Sequence, residues 1–461
     1  MPRAAAARRA LAVGADASDH GRVTSGESED ADRTAADPPD PWAGRGGSVL
    51  DEPGLVRRSG TVLRVGRLAL AAGHGSYRVK SHMERVGRAI GLDRVDALVT
   101  LTEITTTSAR GPVFRTEVSE VRKVGINADR LSELERYVGD LPPHTSLDEV
   151  DRELERIARK PPLYSRLVNA LSAGLACAAF AFLNERGPLE CAAVFVAATL
   201  GQGLRRLLLH RGFNQFGVTM LAAAVASLVY FGLASAVTAV AGGASHHSGY
   251  ISAVLFLVPG FALVTGALDL ARLDFSAGIS RLTFAVMVLA SAALAVWGVS
   301  AIAGLDPEPG PPYVLPPGPH WALLTLASFL GVLGFALMFN SPWRMAVAAA
   351  SVGMVANVAR LVLLDVGLVP QAAAAAAALL VGLLAAYVAP LLRFPRVTVS
   401  VPAVVIMVPG VSVYRAVYEF NAGSTTLALG YAVDATLVVV ALAIGLAVAR
   451  MLTDRAWTFE R

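Results

Sequence analysis

The chain has 461 residues, of which 54% are hydrophobic and only 16% charged, and its mean hydropathy is +0.53. A balance this apolar excludes a soluble protein of this length and points to a polytopic α-helical membrane protein. The net charge of +4 and the pI near 9.2 follow from arginines flanking membrane helices, so no nucleic acid is expected as a partner.

Residues 1–57 are rich in Asp, Glu, Arg, Ala, Gly and Pro ("SGESEDADRTAADPPDPWAGRGG"). They carry too little apolar surface to offset the entropy of ordering, and a disordered tail is expected. The opening "MPRAAAARRALAVGADASDH" lacks the apolar core of a secretory signal, which predicts a cytoplasmic N-terminus.

Residues 58–162 have ordinary globular alternation and read as a small α+β domain, the head. Val62, Val65, Leu68 and Ala69, then Val79, Met83, Val86, Ala89 and Ile90, each form one face of a helix. The β-branched run "RVDALVTLTEITTTS" reads as a strand and "PVFRTEVSEV" as another. "NADRLSELERYVGDL" and "SLDEVDRELERIARK" read as helices capped by Asn127 and Ser146.

Ten apolar segments follow, each long enough to cross about 30 Å of hydrocarbon: 165–184, 188–207, 216–241, 250–270, 278–303, 319–339, 343–364, 371–392, 400–420 and 430–452. The proline-rich stretch "LDPEPGPPYVLPPGPH" cannot form a helix. It sets a linker at 305–318 between five-span halves at 163–304 and 319–453, ahead of a cytoplasmic tail at 454–461. With the head inside, the loops on its side and the C-terminal stretch carry eleven arginines, while the opposite loops carry little beyond Arg186. That is the positive-inside pattern.

Cys177 and Cys191 lie in apolar stretches without disulfide or metal-knuckle spacing and read as buried thiols. The histidines likewise lack ligand spacing, and the adjacent His246 and His247 read as a solvated pair. No metal, cofactor or catalytic residue is expected.

Two membrane segments contain Val-Pro-Gly: "VLFLVPGFALVTGALDL" with Pro259 and Gly260, and "VVIMVPGVSVYRAVYEF" with Pro409 and Gly410. Each has a carboxylate nine residues after the glycine, Asp269 and Glu419. An odd number of spans per half turns the second half upside down relative to the first. Inverted repeats with interrupted helices are a plan of secondary transporters, in which freed carbonyls and half-helix ends hold substrate. "AATLGQGLRRLLL" and "AASVGMVANVARLVLL", in the second and seventh segments, are a further matched pair. Charge inside a membrane faces a cavity or a partner, which adds Asp274, Asn357, Arg360 and Arg415 to the candidates. Arg415 is placed to pair with a substrate carboxylate or with Glu419 at i+4.

The head stretch "AAGHGSYRVKSHMERVGRAIGL", the first-half "LVPGFALVTGALDLARLDFSAGISR" and the second-half "MVPGVSVYRAVYEFNAG" resemble the bacterial threonine/serine exporters. The likeness runs from about 60 to 450, and some relatives carry the two halves as separate chains. The resemblance implies a multi-pass bacterial plasma (inner) membrane carrier that exports small hydroxy amino acids, driven by protons. By motif match, Pro259, Gly260, Asp269 and Asp274 take the family's first positions, and Pro409, Gly410 and Tyr414 its second. Arg415 and Glu419 match no family position and rest on physics alone.

The expected site holds a zwitterion's carboxylate at a half-helix N-terminus or Arg415, and its ammonium at Asp269 or freed carbonyls. Thr265, Ser412 or Tyr414 would take the hydroxyl, and Asp269 and Glu419 are the candidates for proton coupling. Two rivals stand beside this reading. One exports small dicarboxylates such as succinate; the other is a membrane-anchored hydrolase using head residues such as His74, His82 and His144. The sequence also leaves open whether the head gates the inner mouth or joins copies into a homo-oligomer.

Overall fold

In a computed structural model, residues 53–122, 125–241, 249–304 and 313–458 are described. The expected tail as far as residue 52, the His246–His247 pair and 305–312 of the expected linker lie outside them.

The head begins with α1 (Pro53–Ala72) and α2 (Ser76–Ala89), continues through β1 (Arg94–Val99), β2 (Glu103–Arg110) and β3 (Val113–Glu120), and closes with α3 (Ala128–Asp140) and α4 (Leu147–Arg159). The strands form an antiparallel meander in the order β1-β2-β3. The run expected as one strand is a hairpin. The Thr100 N–H donates to the Glu103 carbonyl at 2.9 Å, and the Glu103 N–H donates to the Thr100 hydroxyl at 3.1 Å, so the chain reverses where periodicity alone continued it. The helical faces meet as their spacing predicts: Val62 and Val65, Val79 and Met83, Leu134, Leu154 and Ile157 share one core.

Asn127 and Ser146 do cap their helices, accepting from the N–H groups of Arg130 at 3.0 Å and Glu149 at 3.3 Å. Asn127 Oδ1 also accepts from Asn340 Nδ2 at 2.8 Å, and Asn340 Oδ1 accepts from the Leu163 N–H at 2.9 Å. Beside them, the N–H of Ala128 donates to the Phe339 carbonyl at 3.0 Å. The N-terminus of α3 is therefore docked on the membrane body. Ser146→Ala should cost about 1 kcal/mol and Asn127→Ala about 2 kcal/mol, since the second change also strands the Asn340 amide. Thermal melting of the full chain checks the ranking; equal shifts would mean that the docking contact carries no weight.

The body comprises α5 (Arg166–Leu183), α6 (Pro188–His210), α7 (Gln215–Ala241), α8 (Tyr250–Ala253) with a 3₁₀ turn at Leu255–Leu257, α9 (Gly260–Ala271) and α10 (Phe275–Ala303). After the break in described residues come α11 (Pro317–Met338), α12 (Trp343–Asp365), α13 (Pro370–Leu391), α14 (Arg396–Val405), α15 (Gly410–Asn421), α16 (Thr425–Thr453) and the short α17 (Arg455–Thr458). Among the described residues, eight helices are long and apolar enough to cross a membrane, and the count reaches ten if each of two bent pairs is one span.

Those bent pairs are the two Val-Pro-Gly segments, turned by 55° and 47°. At each proline the backbone forms an inverse γ-turn. Pro259 has φ −81° and ψ 53°, Pro409 has φ −81° and ψ 60°, and each following glycine N–H donates to the valine carbonyl two residues back at 2.8 Å. Proline has no N–H to continue the helical ladder, so the helix ends and a new one starts at the glycine. The unit recurs closely: α9 and α15 have 12 residues each, and α10 and α16 have 29 each.

The two breaks pack on each other reciprocally. A Cβ on Gly260 would lie 3.0 Å from Val405, and one on Gly410 would lie 2.5 Å from Leu255 and 3.2 Å from Val258. Val405 and Leu255 each precede their own glycine by five residues. Glycine at both breaks lets the backbones approach where any side chain would hold them apart.

Candidate functional site

The candidate residues fall into three places. The densest surrounds Asp269, which is buried on α9. Its Oδ2 lies 3.0 Å from Arg281 Nε in an ion pair whose two side chains are 6% and 4% exposed. Arg281, on α10, also donates to Thr265 Oγ1 at 3.3 Å and to the carbonyl of His74 at 2.7 Å. The other Asp269 oxygen accepts from the backbone N–H of Ser76, the first residue of α2, at 3.1 Å. Asp274 accepts from Ser76 Oγ and Lys80 Nζ, both at 2.7 Å. Asp269 of the broken span and Asp274, just ahead of α10, thus sit at the N-terminus of a head helix, where free N–H groups and the helix dipole favour negative charge. Gly75 makes the approach possible, since a Cβ there would lie 3.1 Å from Asp269.

From sequence, Arg281 falls among the eleven arginines of the loops on the head's side, but it is buried within α10 and neutralises Asp269. The signal was available: an arginine at the edge of an apolar run, twelve residues after an aspartate in the preceding span.

The second place joins the halves. Tyr414 on α15 and Tyr250 on α8 place their hydroxyls 2.9 Å apart, and Tyr414 donates to Ser300 Oγ at 3.2 Å. The Tyr414 hydroxyl, a candidate for substrate, is therefore engaged across the break. On the same helix Arg415 lies over the Tyr431 ring, 5.7 Å from its centroid, rather than pairing with Glu419; Glu419 and Ser412 are half-buried. The third place is the α11–α12 contact, where Asn357 donates to Ser328 at 2.9 Å and accepts from Arg360 Nε at 3.0 Å. Gln202, Asn169 and Arg205 make the matching arrangement in the first half, at 2.9 and 3.5 Å.

A cavity of about 50 Å³ lies where the head meets both bent pairs, lined by His74, Gly75, Glu135, Thr265, Asp269 and Arg272 with Arg396 and Arg450 from the second half. Arg272 stacks over Tyr77 at 3.7 Å and near Trp457 at 4.9 Å, and Arg396 donates to Thr453 Oγ1 at 3.1 Å. From sequence, Arg272, Arg396 and Arg450 belong to the positive-inside set. Glu135 faces the same space, with Arg78 at 3.7 Å. Burial opposes its ionisation, but the adjacent His74 ring, whose Nε2 lies 3.7 Å away, and the charge of Arg78 outweigh that and hold the carboxyl down to about 2. Burial, reinforced by the neighbouring His74, pushes the His82 imidazole down to about 3. The space thus offers fixed charges of both signs with cations in excess, suited to a small polar molecule that carries a carboxylate.

Residues 60–303 match the family described as "Putative threonine/serine exporter", and residues 324–452 match "Threonine/Serine exporter, ThrE". The chain belongs to the threonine/serine exporter family. It is a multi-pass membrane transporter for a small molecule and not an enzyme, which removes the hydrolase reading of the head. Among its relatives, "Probable succinate transporter subunit YjjP" of Klebsiella aerogenes is 30% identical over 241 residues, 50% of this chain and 90% of that protein. The Escherichia coli protein of the same description is 30% identical over 248 residues, 51% of this chain and 93% of that one. "Probable threonine/serine exporter" of Mycobacterium tuberculosis is 26% identical over 381 residues, 79% and 70% of the two chains. Two relatives therefore match this exporter over about half its length with nearly all of theirs. No solved structure matches the chain.

Proposed function

We propose that this exporter is a secondary active, proton-driven antiporter that moves threonine and serine out of the cell across a bacterial inner membrane. Its head and C-terminus are cytoplasmic, and its two five-helix halves are inverted repeats that alternate access around the paired breaks. The cavity beneath the head, carrying Asp269 and Thr265 beside Arg272, Arg396 and Arg450, is the observation that carries this reading. It offers a carboxylate for an ammonium, a hydroxyl for a hydroxyl, and guanidinium groups for a carboxylate. The head covers that cavity and acts as its inner gate.

The coupling proton goes to Asp269. Protonation discharges the partner of Arg281 and of the α2 N-terminus together, which loosens the head and the broken span in one step. Asp274, anchored to Lys80, holds the head; Glu419 is the second-half counterpart of Asp269. Asn357 and Arg360 support α11–α12 packing. Pro259, Gly260, Pro409 and Gly410 form the hinge. Tyr414 latches the halves, with Ser412 and Arg415 on the same half-helix.

Export of small dicarboxylates is the second reading, favoured by the excess of arginines in the cavity and by the names of the two half-length relatives. Efflux from cells preloaded with threonine-containing dipeptide separates the two. Threonine or serine leaving faster, and slowing when a protonophore collapses the gradient, is the expected result. Succinate alone leaving would change the cargo. Asp269→Asn and Glu419→Gln variants that both keep the wild-type pH dependence would refute carboxylate coupling.

A further inference from the structure

Two buried histidines of the head have no role in the transport reading. His74 follows the turn after α1, and His82 lies on α2; they are 0% and 4% exposed. Their rings meet edge to face with centroids 4.9 Å apart. His74 Nε2 and His82 Nδ1 are buried and make no hydrogen bond. Leaving such a polar atom dry and unpaired costs about 1–3 kcal/mol, so each orphan calls for a partner. Glu135 on α3 completes the group. One of its oxygens is 3.7 Å from His74 Nε2, and the other is 3.7 Å from Arg78.

We propose that His74, His82 and Glu135 form a binding site for a divalent transition metal of the zinc class, which ties the α1–α2 corner, α2 and α3 together beneath the broken span. One ligand atom from each residue lies within 4.8 Å of the other two. Ligands about 2.0–2.2 Å from a tetrahedral zinc are roughly 3.4 Å from one another, so side-chain rotation of little more than an ångström closes the set.

The surroundings fit a ligand set. His74 Nδ1 lies 3.2 Å from the Ala69 carbonyl. A proton on that nitrogen leaves the Nε2 lone pair free, as it does in metal-bound histidines whose other nitrogen donates to a carbonyl. Arg78 holds the Glu135 oxygen that the metal would not take, the part outer-shell donors play for ligating carboxylates. Two imidazoles and one carboxylate suit zinc and its first-row neighbours better than magnesium or calcium. The adjoining cavity, which His74 and Glu135 both line, leaves a fourth position open.

The site also reaches the transport machinery through the chain itself. The His74 carbonyl accepts from Arg281 at 2.7 Å, so a metal on the His74 ring steadies the corner that Arg281 grips. The inference concerns the head and does not depend on which molecule is exported. Sequence spacing gave no sign of it, because the ligands come from the corner between α1 and α2, from α2 and from α3.

The test uses the full chain, purified in detergent without a histidine tag and offered zinc, then washed. Elemental analysis should find about one zinc per chain, and cobalt(II) in its place should show the visible bands of a low-coordinate nitrogen–oxygen site. His82→Ala and Glu135→Gln should each weaken zinc binding by more than the roughly 10- to 100-fold that loss of an outer-shell partner costs. Zinc at background in the wild type would overturn the proposal, as would stoichiometric zinc retained by the His74→Ala/His82→Ala double variant. If the variants do not fold, the cobalt spectrum of the wild type decides: imidazole–carboxylate bands support the site, and the spectrum of hexa-aqua cobalt overturns it.

Discussion

Replacing Arg281 by methionine is expected to abolish transport and to destabilise the chain by about 3–5 kcal/mol, the cost of leaving one member of a buried ion pair alone. Asp269 would keep a single donor, the Ser76 N–H at 3.1 Å, and the His74 carbonyl would lose its 2.7 Å donor. The ion pair itself is a charge contact at 3.0 Å without hydrogen-bond alignment, so its strength is chiefly Coulombic and depends on exclusion of water. The double variant Asp269→Asn/Arg281→Met removes both charges and should recover most of the stability, since neutral replacement of a buried pair is often nearly free. It should not recover proton-coupled transport. Thermal melting and threonine efflux measured on the wild type and these two variants check both halves; a double variant that transports with a normal pH profile would exclude Asp269 as the coupling group.

Gly260→Ala is expected to stop transport at a smaller cost in stability, about 1–3 kcal/mol from overpacking. The new methyl would meet both Val405 methyls, at 3.0 and 3.1 Å. Valine is stiff about χ1 and has no rotamer to which it retreats easily. Val405→Ala placed on top of Gly260→Ala should restore transport, because it removes the atoms that clash. Failure of that rescue, with the protein folded in the membrane, would mean that Gly260 is needed for its own backbone freedom and not for contact between the halves. Gly410→Ala should be milder than its distance to Leu255 implies, since the atom it meets is the mobile end of a leucine side chain.

Local chemistry was legible in the residues themselves. Composition set the membrane class, and the caps at Asn127 and Ser146 followed from residue type and position. The two Val-Pro-Gly breaks were visible because proline ends a helix wherever it falls in one. The hairpin at Thr100 was missed because β-branched residues continue on both sides of the turn and hide it. In the candidate site, Thr265, Asp269 and Asp274 do come together, while Arg415, Glu419, Asn357 and Arg360 lie elsewhere. The nine-residue spacing of Asp269 and Glu419 from their glycines follows the repeated 12-residue half-helices α9 and α15.

What the sequence determined by itself is therefore everything carried by a residue and its near neighbours: the apolar spans, where they break, and which helices have caps. What only the tertiary structure decided is partnership. Whether Arg281 answers lipid headgroups or Asp269, and whether His74, His82 and Glu135 share one space, depends on how separate helices pack, from neighbours along the chain to the His74–Arg281 contact across 207 residues. The physical reason is that a charge or an imidazole is the same group in every setting. Its energy is set by water, lipid or an opposing group within a few ångströms, and folding alone chooses among them.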